Sequence, residues 1–513
     1  MSHPFYLNII SFFGIFGLCA IAWLFSENRR VVPWRVIIWG IGLQLILGFL
    51  VFQFPITRLI LDAFSRLLDA VFVAADFGAR FVFGPALIPK PGEVPTPGIG
   101  TIFAFRVLPP VIFFSGLMAL LYNIGAIQPV INFFAKIFYS TMRLSGAEAL
   151  SGSANIFVGI ESAIVVKPFL AKMTRSELCA ILACCFGTAA SSTLIIYVKA
   201  LENVFPNILV HLVSASIIAI PACFVLSKIV VPETEIPLTA GGSPKEEKAR
   251  TPKEKDVVES DFEDAPKETV GGEPIERVSP LDAAIVGALD GVKMAVAIAA
   301  VLILILGFVS LINQLFGALA SLQNSEFFLF QLVGQFFSIV TLQNILGVLF
   351  LPLTLLTGVS LEWDELWRSS VIIGRRLFET AIPPYQTLGQ EAAQGLLDGR
   401  AVLIISYALS GFAHLASVGI FVGGTIALIP SRRKDITELG WKALLVGTLA
   451  TTMIACIAGV FDTGDPGILG ERKVAPPPAT APASPNPALA TPSPTVSPVA
   501  PAVVPVPVPN NAT

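Results

Sequence analysis

Long apolar runs separated by short polar connections recur along this chain, which predicts helices crossing a lipid bilayer, each needing about 20 residues. The candidate spans are Leu7–Phe25, Val36–Phe54, Ile102–Tyr122, Leu178–Val198, Ile208–Val230, Ala283–Leu315, Leu403–Ile429 and Trp441–Phe461. A bilayer offers no water to satisfy backbone N–H and C=O groups, so each is expected to be helical. Leu342–Leu356 is a further helical candidate span, but it is shorter and contains Pro352, so it could instead be an interfacial or re-entrant piece. The first run is too long for the apolar region of a signal peptide. No Lys or Arg precedes it and no small-residue cleavage site is clear, so it is expected to stay as the first span.

The polar segments divide the chain. Residues 1–100 hold the first two spans and the segment Ile56–Phe83, where Arg58, Asp62, Arg66, Asp69 and Asp76 alternate with large apolar residues. That pattern suits an amphipathic interfacial helix, or a span with one face against protein. Residues 101–231 form a first repeat and 232–282 a flexible polar loop. Residues 283–463 hold a central helix and a second repeat, and 464–513 a Pro/Ala-rich disordered tail without charge after Lys473. Basic residues cluster at Arg29, Arg30 and Arg35 and again at Arg432, Arg433 and Lys434. By the positive-inside rule both loops face the cytoplasm, leaving the N-terminus and the tail outside a plasma membrane, here a bacterial inner membrane.

Composition agrees with a membrane protein: 13% of the 513 residues are charged, 54% are hydrophobic and 38 are Phe. The net charge of −3 gives no hint of a nucleic-acid partner. All six cysteines lie in apolar segments without metal-knuckle or disulfide spacing, although adjacent Cys184 and Cys185 admit a metal reading beside the plainer one of small buried hydrophobes.

Two stretches are apolar yet repeatedly broken: residues 145–170 around Glu161, and residues 367–392 around Glu379. Each is long enough to enter the membrane, turn and return as a helical hairpin, which is tolerated only where protein or a wet cavity covers it. A helix with a polar centre follows each. The first holds Ser192 and Thr193, the second Phe412, His414 and Ser417. Hairpin, polar-centred helix and span therefore occur twice, around the long segment Ala283–Leu315. The expected fold is an all-α polytopic membrane protein, an inverted repeat with two re-entrant helical hairpins and a site at the midplane. Carboxylates at such depth face protein, water or solute. Glu161 and Glu379 could also be structural partners of Lys167 or Arg376, His414 a satisfied core group, and Ser192 and Thr193 could bond back to their own helix.

Several strings together resemble the concentrative nucleoside transporter family: NRRVVPWR at 28–35, GLQLILGFLV at 42–51, ANIFVG at 154–159, KPFLAKMTRSEL at 167–178, GVKMAVAIAAVLILILGFVSLIN at 291–313 and GFAHLASVGIFVGGTIALIPSRR at 411–433. The resemblance covers nearly all of the membrane part. It implies sodium- or proton-driven uptake of nucleosides by a homotrimer with an elevator-like moving domain. It implies solute binding by Glu161 at the base, by Glu379 at the ribose hydroxyls, and by Phe412, His414 and Ser417. It implies a sodium site from Asn155, Val158, Ser192 and Thr193. The chain departs from the family at Gly159-Ile160-Glu161, which is one residue shorter than usual and lacks an amide. It departs again at Phe378-Glu379-Thr380 with Pro383-Pro384, and at His414 in place of asparagine.

The expected function is cation-coupled symport, with Na+ or alternatively H+ as coupling ion, of a nucleoside or related polar metabolite. Alternatives are a proton-coupled carrier of another solute and a channel- or receptor-like relative. No catalytic triad, phosphate loop or metal motif is visible, so no enzyme and no cofactor are expected.

Overall fold

The computed structural model describes residues 4–54, 70–71, 73–88, 102–157, 159, 162–163, 166–189, 191–240 and 279–470. Most of the amphipathic segment, most of the polar loop and the Pro/Ala-rich tail beyond residue 470 lie outside the described residues. Every regular element among those described is a helix: α1 (Tyr6–Leu24), α2 (Trp34–Gln53), α3 (residues 73–83), α4 (Phe103–Asn123), α5 (Gln128–Met142), α6 (Gly146–Ala154), α7 (Lys167–Leu170), α8 (Arg175–Gly187), α9 (Ser191–Leu201), α10 (Ile208–Val230), α11 (Pro280–Ala320), α12 (Phe328–Ile339), α13 (Leu342–Leu356), α14 (Trp363–Glu379), α15 (Ile382–Ala393), α16 (Gly399–Leu409), α17 (Leu415–Leu428), α18 (Arg433–Phe461) and α19 (Pro466–Leu469). Five are long and apolar enough to cross a membrane, or seven if each of two bent pairs counts as one span.

Two expected continuous spans are broken. Leu178–Val198 divides between α8 and α9, and Leu403–Ile429 divides between α16 and α17. Hydropathy cannot register such breaks, because a few small or hydroxylated residues interrupt the helix without lowering its apolar average. Leu342–Leu356 is indeed a helix, joined to α12 at a bend of 63°.

The interior is a bundle of α8, α10, α16 and α18. In α10, 89% of the apolar window is buried and in α18 83%, against 12% in α11, whose Ile303 and Leu311 point outward. Large apolar groups exposed on α1, α2, α11 and α12, such as Phe13, Ile38 and Phe328, form the surface available to lipid.

The two ends of α1 mark two ends of the bundle, roughly 28 Å apart at 1.5 Å per residue. Near its C-terminal end, Glu27 accepts hydrogen bonds from Arg175 (3.0 Å) and Lys442, and Arg175 also pairs with Asp435 (2.9 Å). Arg432 donates to the carbonyl of Met173 (2.9 Å). The loop carrying Arg29 and Arg30 and the loop carrying Arg432 and Arg433 thus meet at one end. The bases of α6 and α8 lie there too. Ser145 and Glu148 form a capping box on α6, Thr174 and Glu177 one on α8, and buried Lys228 ties them together through Glu148, Glu233 (3.2 Å) and the Ser176 hydroxyl (3.0 Å).

The opposite end is organised by Arg400, fully buried in the first turn of α16. It donates to the carbonyls of Gly358 (2.9 Å) and Gly459 (3.1 Å), to Asn8 Oδ1 (3.2 Å), to Ser11 Oγ (3.0 Å) and to Asp462 (3.1 Å). Gly358 has φ +64° and its α-carbon faces the start of α1, so a side chain there would be strained and would collide with Ser11. The first-turn residue Glu365 of α14 accepts from the Asp398 N–H (2.8 Å), which places the base of α14 at this same end. α6 and α14 therefore start from opposite ends of the bundle.

Candidate functional site

The two helix breaks meet backbone to backbone. Phe412 N–H donates to the Thr188 carbonyl (3.3 Å), and a Cβ at Gly411 would lie 2.8 Å from the carbonyl oxygens of Phe186 and Gly187. Only a residue without a side chain permits that approach. The interrupted backbone is closed locally: Thr188 Oγ1 donates to the Cys184 carbonyl (2.8 Å) and Ser410 Oγ to the Tyr407 carbonyl (2.8 Å).

His414 caps α17. Its Nδ1 accepts the Ser417 N–H (3.2 Å), and the Ser417 hydroxyl lies 3.1 Å from both ring nitrogens. An imidazole nitrogen that accepts an N–H carries no proton of its own, so the hydrogen bond specifies the Nε2–H tautomer. The Phe412 ring stands edge-on to His414 at 6.1 Å and touches Phe421 at 6.2 Å. Phe412, His414 and Ser417, named from the sequence, are thus neighbours, and Phe412 is the half-buried one.

Asn155 ends α6. Its Nδ2 donates to Ser162 Oγ (2.6 Å) and to the Ser151 carbonyl (3.3 Å), while its fully buried Oδ1 has no hydrogen-bond partner among the described residues. Such an acceptor costs about 1–3 kcal/mol if left unmade, so the chemistry there asks for a donor or a cation. Ser192 lies in the first turn of α9 and Thr193 is buried beside it. Val158 and Glu161 lie outside the described residues. Among those described, no group of three or more His, Cys, Asp and Glu could hold a metal ion.

Glu379 ends α14 and is buried. Arg376 is one nearby donor that the sequence offers for a structural role of Glu379; in the structure the donor is Arg375, one helical turn back. Its Nε (2.9 Å) and Nη2 (2.8 Å) both reach Glu379 Oε2. Arg375 Nη1 continues to Thr387 Oγ1 on α15 (2.9 Å). Oε1 accepts from Gln343 on α13 (3.2 Å), whose own Oε1 accepts from Asn313 on α11 (3.0 Å). Arg376 turns to the other side and donates to the Ala408 carbonyl and to Thr451 Oγ1 (2.9 Å), leaving Nε and Nη2 without hydrogen bonds among the described residues. The next residue, Thr380, has φ +67° and ψ −176°, a conformation suited to glycine and costing a side-chain-bearing residue about 1–3 kcal/mol. Arg375, Gln343 and Asn313 escaped the sequence reading. Only the four-residue spacing from Arg375 to Glu379 gives a local signal.

The comparisons with known proteins agree along the whole membrane part. Family sequence models described as Na+ dependent nucleoside transporter N-terminus, nucleoside recognition, and Na+ dependent nucleoside transporter C-terminus match residues 13–86, 104–203 and 211–459. The uncharacterized transporter YutK of Bacillus subtilis (strain 168) is 35% identical over 449 residues, 87% of this chain and 98% of YutK. Solute carrier family 28 member 3 of Mus musculus is 30% identical over 88% of this chain, which spans 59% of that longer protein. Sodium/nucleoside cotransporter 1 of Rattus norvegicus is 31% identical over 88% of this chain and 64% of its own length. A solved structure of CNTnw, described as inward-facing and substrate-bound, matches with TM-score 0.75 and 33% identity, covering 91% of this chain and all of that one. The chain belongs to the concentrative nucleoside transporter family.

Proposed function

We propose that this protein carries nucleosides across the membrane by coupling them to a cation, sodium. The observation that carries the reading is the meeting of two broken helices at Thr188 and Phe412, in a chain whose relatives are named as sodium/nucleoside cotransporters. Solute and ion bind together near the hairpin tips, and downhill ion movement drives uphill solute movement by stabilising the transport-ready state. Glu161 and the group Phe412, His414 and Ser417 take the base and part of the sugar. Glu379 takes the sugar hydroxyls, since a carboxylate accepts two hydrogen bonds from a vicinal diol. Asn155, the Val158 carbonyl, Ser192 and Thr193 hold sodium, and the buried, unpartnered Asn155 Oδ1 is the feature most in keeping with that role. Sodium is favoured over a proton because the matching family models are described as Na+ dependent and relatives are named as sodium/nucleoside cotransporters.

The same reading takes the division at residues 100, 231, 282 and 463, a homotrimer as the assembly, and the basic end carrying Arg30 and Arg433 as cytoplasmic in a bacterial inner membrane. Asn8 and Asp462 lie together at the other end, in keeping with an external N-terminus and tail. Uptake of labelled uridine and adenosine into proteoliposomes tests the function. Accumulation should follow an imposed sodium gradient. Accumulation that ignores sodium and follows a pH gradient, or no nucleoside accumulation at all, overturns it.

A further inference from the structure

A cavity of about 310 Å³ lies along the seam of α13, α14 and α15, at the lower edge of the range of small-molecule sites. Trp367 supplies a large ring, Arg368 and Arg375 supply donors, and Glu391, Thr387 and Asn344 supply acceptors. It is not a site named above, yet one of its walls is Arg375, which at the same time holds Glu379. We propose that this cavity is a vestibule subsite for the nucleoside, from which solute reaches Glu379 by displacing Arg375. The inference rests on the reading of Glu379 as the ligand of the sugar hydroxyls.

Three observations lead there. Both oxygens of Glu379 are occupied, Oε2 by Arg375 and Oε1 by Gln343, so a diol gains Oε2 only if the guanidinium leaves. The guanidinium has somewhere to go. Its Nη1 already touches Thr387, and Glu391 lies one turn further along α15. Among the described residues, Glu391 Oε2 is buried without a hydrogen bond and its ion-pair partner is Arg368 at 3.6 Å, too long for one. Moving Arg375 from Glu379 toward Glu391 thus exchanges one carboxylate for another, and the solute hydroxyls replace the donors that leave. The cavity also has the chemistry of a nucleoside, an aromatic face for the base and charged groups of both signs for the polar edges.

The test uses the full chain in nanodiscs with saturating sodium, titrated with uridine by calorimetry, and in proteoliposomes for uptake. Wild type should show a tight and a weaker class of sites. Glu379→Gln should keep the weaker class, and Trp367→Ala should keep the tight one. In uptake, Trp367→Ala should raise KM about tenfold with little change in maximal rate, the loss expected for one aromatic contact. Trp367→Phe should restore it, which a general packing defect would not. A single class of sites in wild type, or an unchanged KM in Trp367→Ala, overturns the vestibule while the nucleoside reading stands. If wild type binds no uridine, adenosine or guanosine, the functional reading falls and the vestibule with it.

Discussion

Replacing Glu379 by glutamine tests the polarity of a hydrogen-bond chain that starts from the backbone. Leu342 N–H donates to Asn313 Oδ1 (3.2 Å), Asn313 Nδ2 to Gln343 Oε1, and Gln343 Nε2 to Glu379 Oε1. A backbone N–H cannot reverse, so Asn313 cannot flip, Gln343 cannot flip, and residue 379 must present an acceptor on that side. On its other side it accepts the Nε–H of Arg375 and pairs with Nη2 of the same guanidinium. A carboxylate meets both demands and an amide meets one. Whichever way the amide of Glu379→Gln turns, its NH2 faces a donor. Breaking a buried ion pair costs about 3–5 kcal/mol. The Arg375 side chain is 20% exposed and can turn into the adjoining cavity, which reduces that cost. We expect a net loss of about 2–4 kcal/mol in the folded state, and about 1.5–3 kcal/mol in nucleoside affinity, or 10- to 100-fold. Thermal unfolding in detergent, with and without uridine, reads both. The 2′- and 3′-deoxynucleosides give the complementary measurement, since wild type should lose affinity for them and Glu379→Gln much less. An unchanged unfolding midpoint in Glu379→Gln refutes the relay. Equal affinity of wild type for ribo- and deoxynucleosides refutes the sugar contact.

The remaining predictions are read more simply. Gly411→Ala should destabilise by about 1–3 kcal/mol through overpacking against Phe186, Gly187 and Thr451, and should reduce uptake more than expression, read by transport per folded protein. Asn155→Ala should abolish the rise in thermal midpoint that sodium chloride, unlike choline chloride, gives wild type; an undiminished rise places the ion elsewhere. Arg400→Ala should cost about 3–5 kcal/mol, because Asp462 and the carbonyls of Gly358 and Gly459 lose their donor inside the protein, so little folded protein should survive size-exclusion chromatography. At the basic end, burial raises the Glu27 carboxyl, but hydrogen bonds from Lys442 and Arg175 outweigh it and hold it below the ordinary carboxylate value. Its contribution to stability is therefore present at neutral pH and lost as pH falls through the lowered value. The midpoint of Glu27→Gln should be lower than wild type at pH 7 and should converge with it under acid, and a constant gap counts against the assignment.

What the amino-acid sequence determined by itself is what bilayer physics makes local. Apolar runs such as Ile208–Val230 must be helices because lipid satisfies no backbone group, and α10 has those same bounds. The repeated order of broken stretch, polar-centred helix and span was equally legible, as was the closeness of Phe412, His414 and Ser417, which lie within six residues of one another in the chain. The tertiary structure alone decided three things. The helix breaks at Thr188 and after Ser410 are joined by one backbone hydrogen bond, from Phe412 N–H to the Thr188 carbonyl, a long-range contact invisible in an apolar average. The partner of Glu379 is Arg375 and not Arg376, because adjacent residues on a helix point about 100° apart and packing chooses which one faces the carboxylate. Opposite entry of α6 and α14 is set by Lys228 at one end and Arg400 at the other, buried cations whose partners come from segments far apart in the chain, so only the folded bundle brings them together.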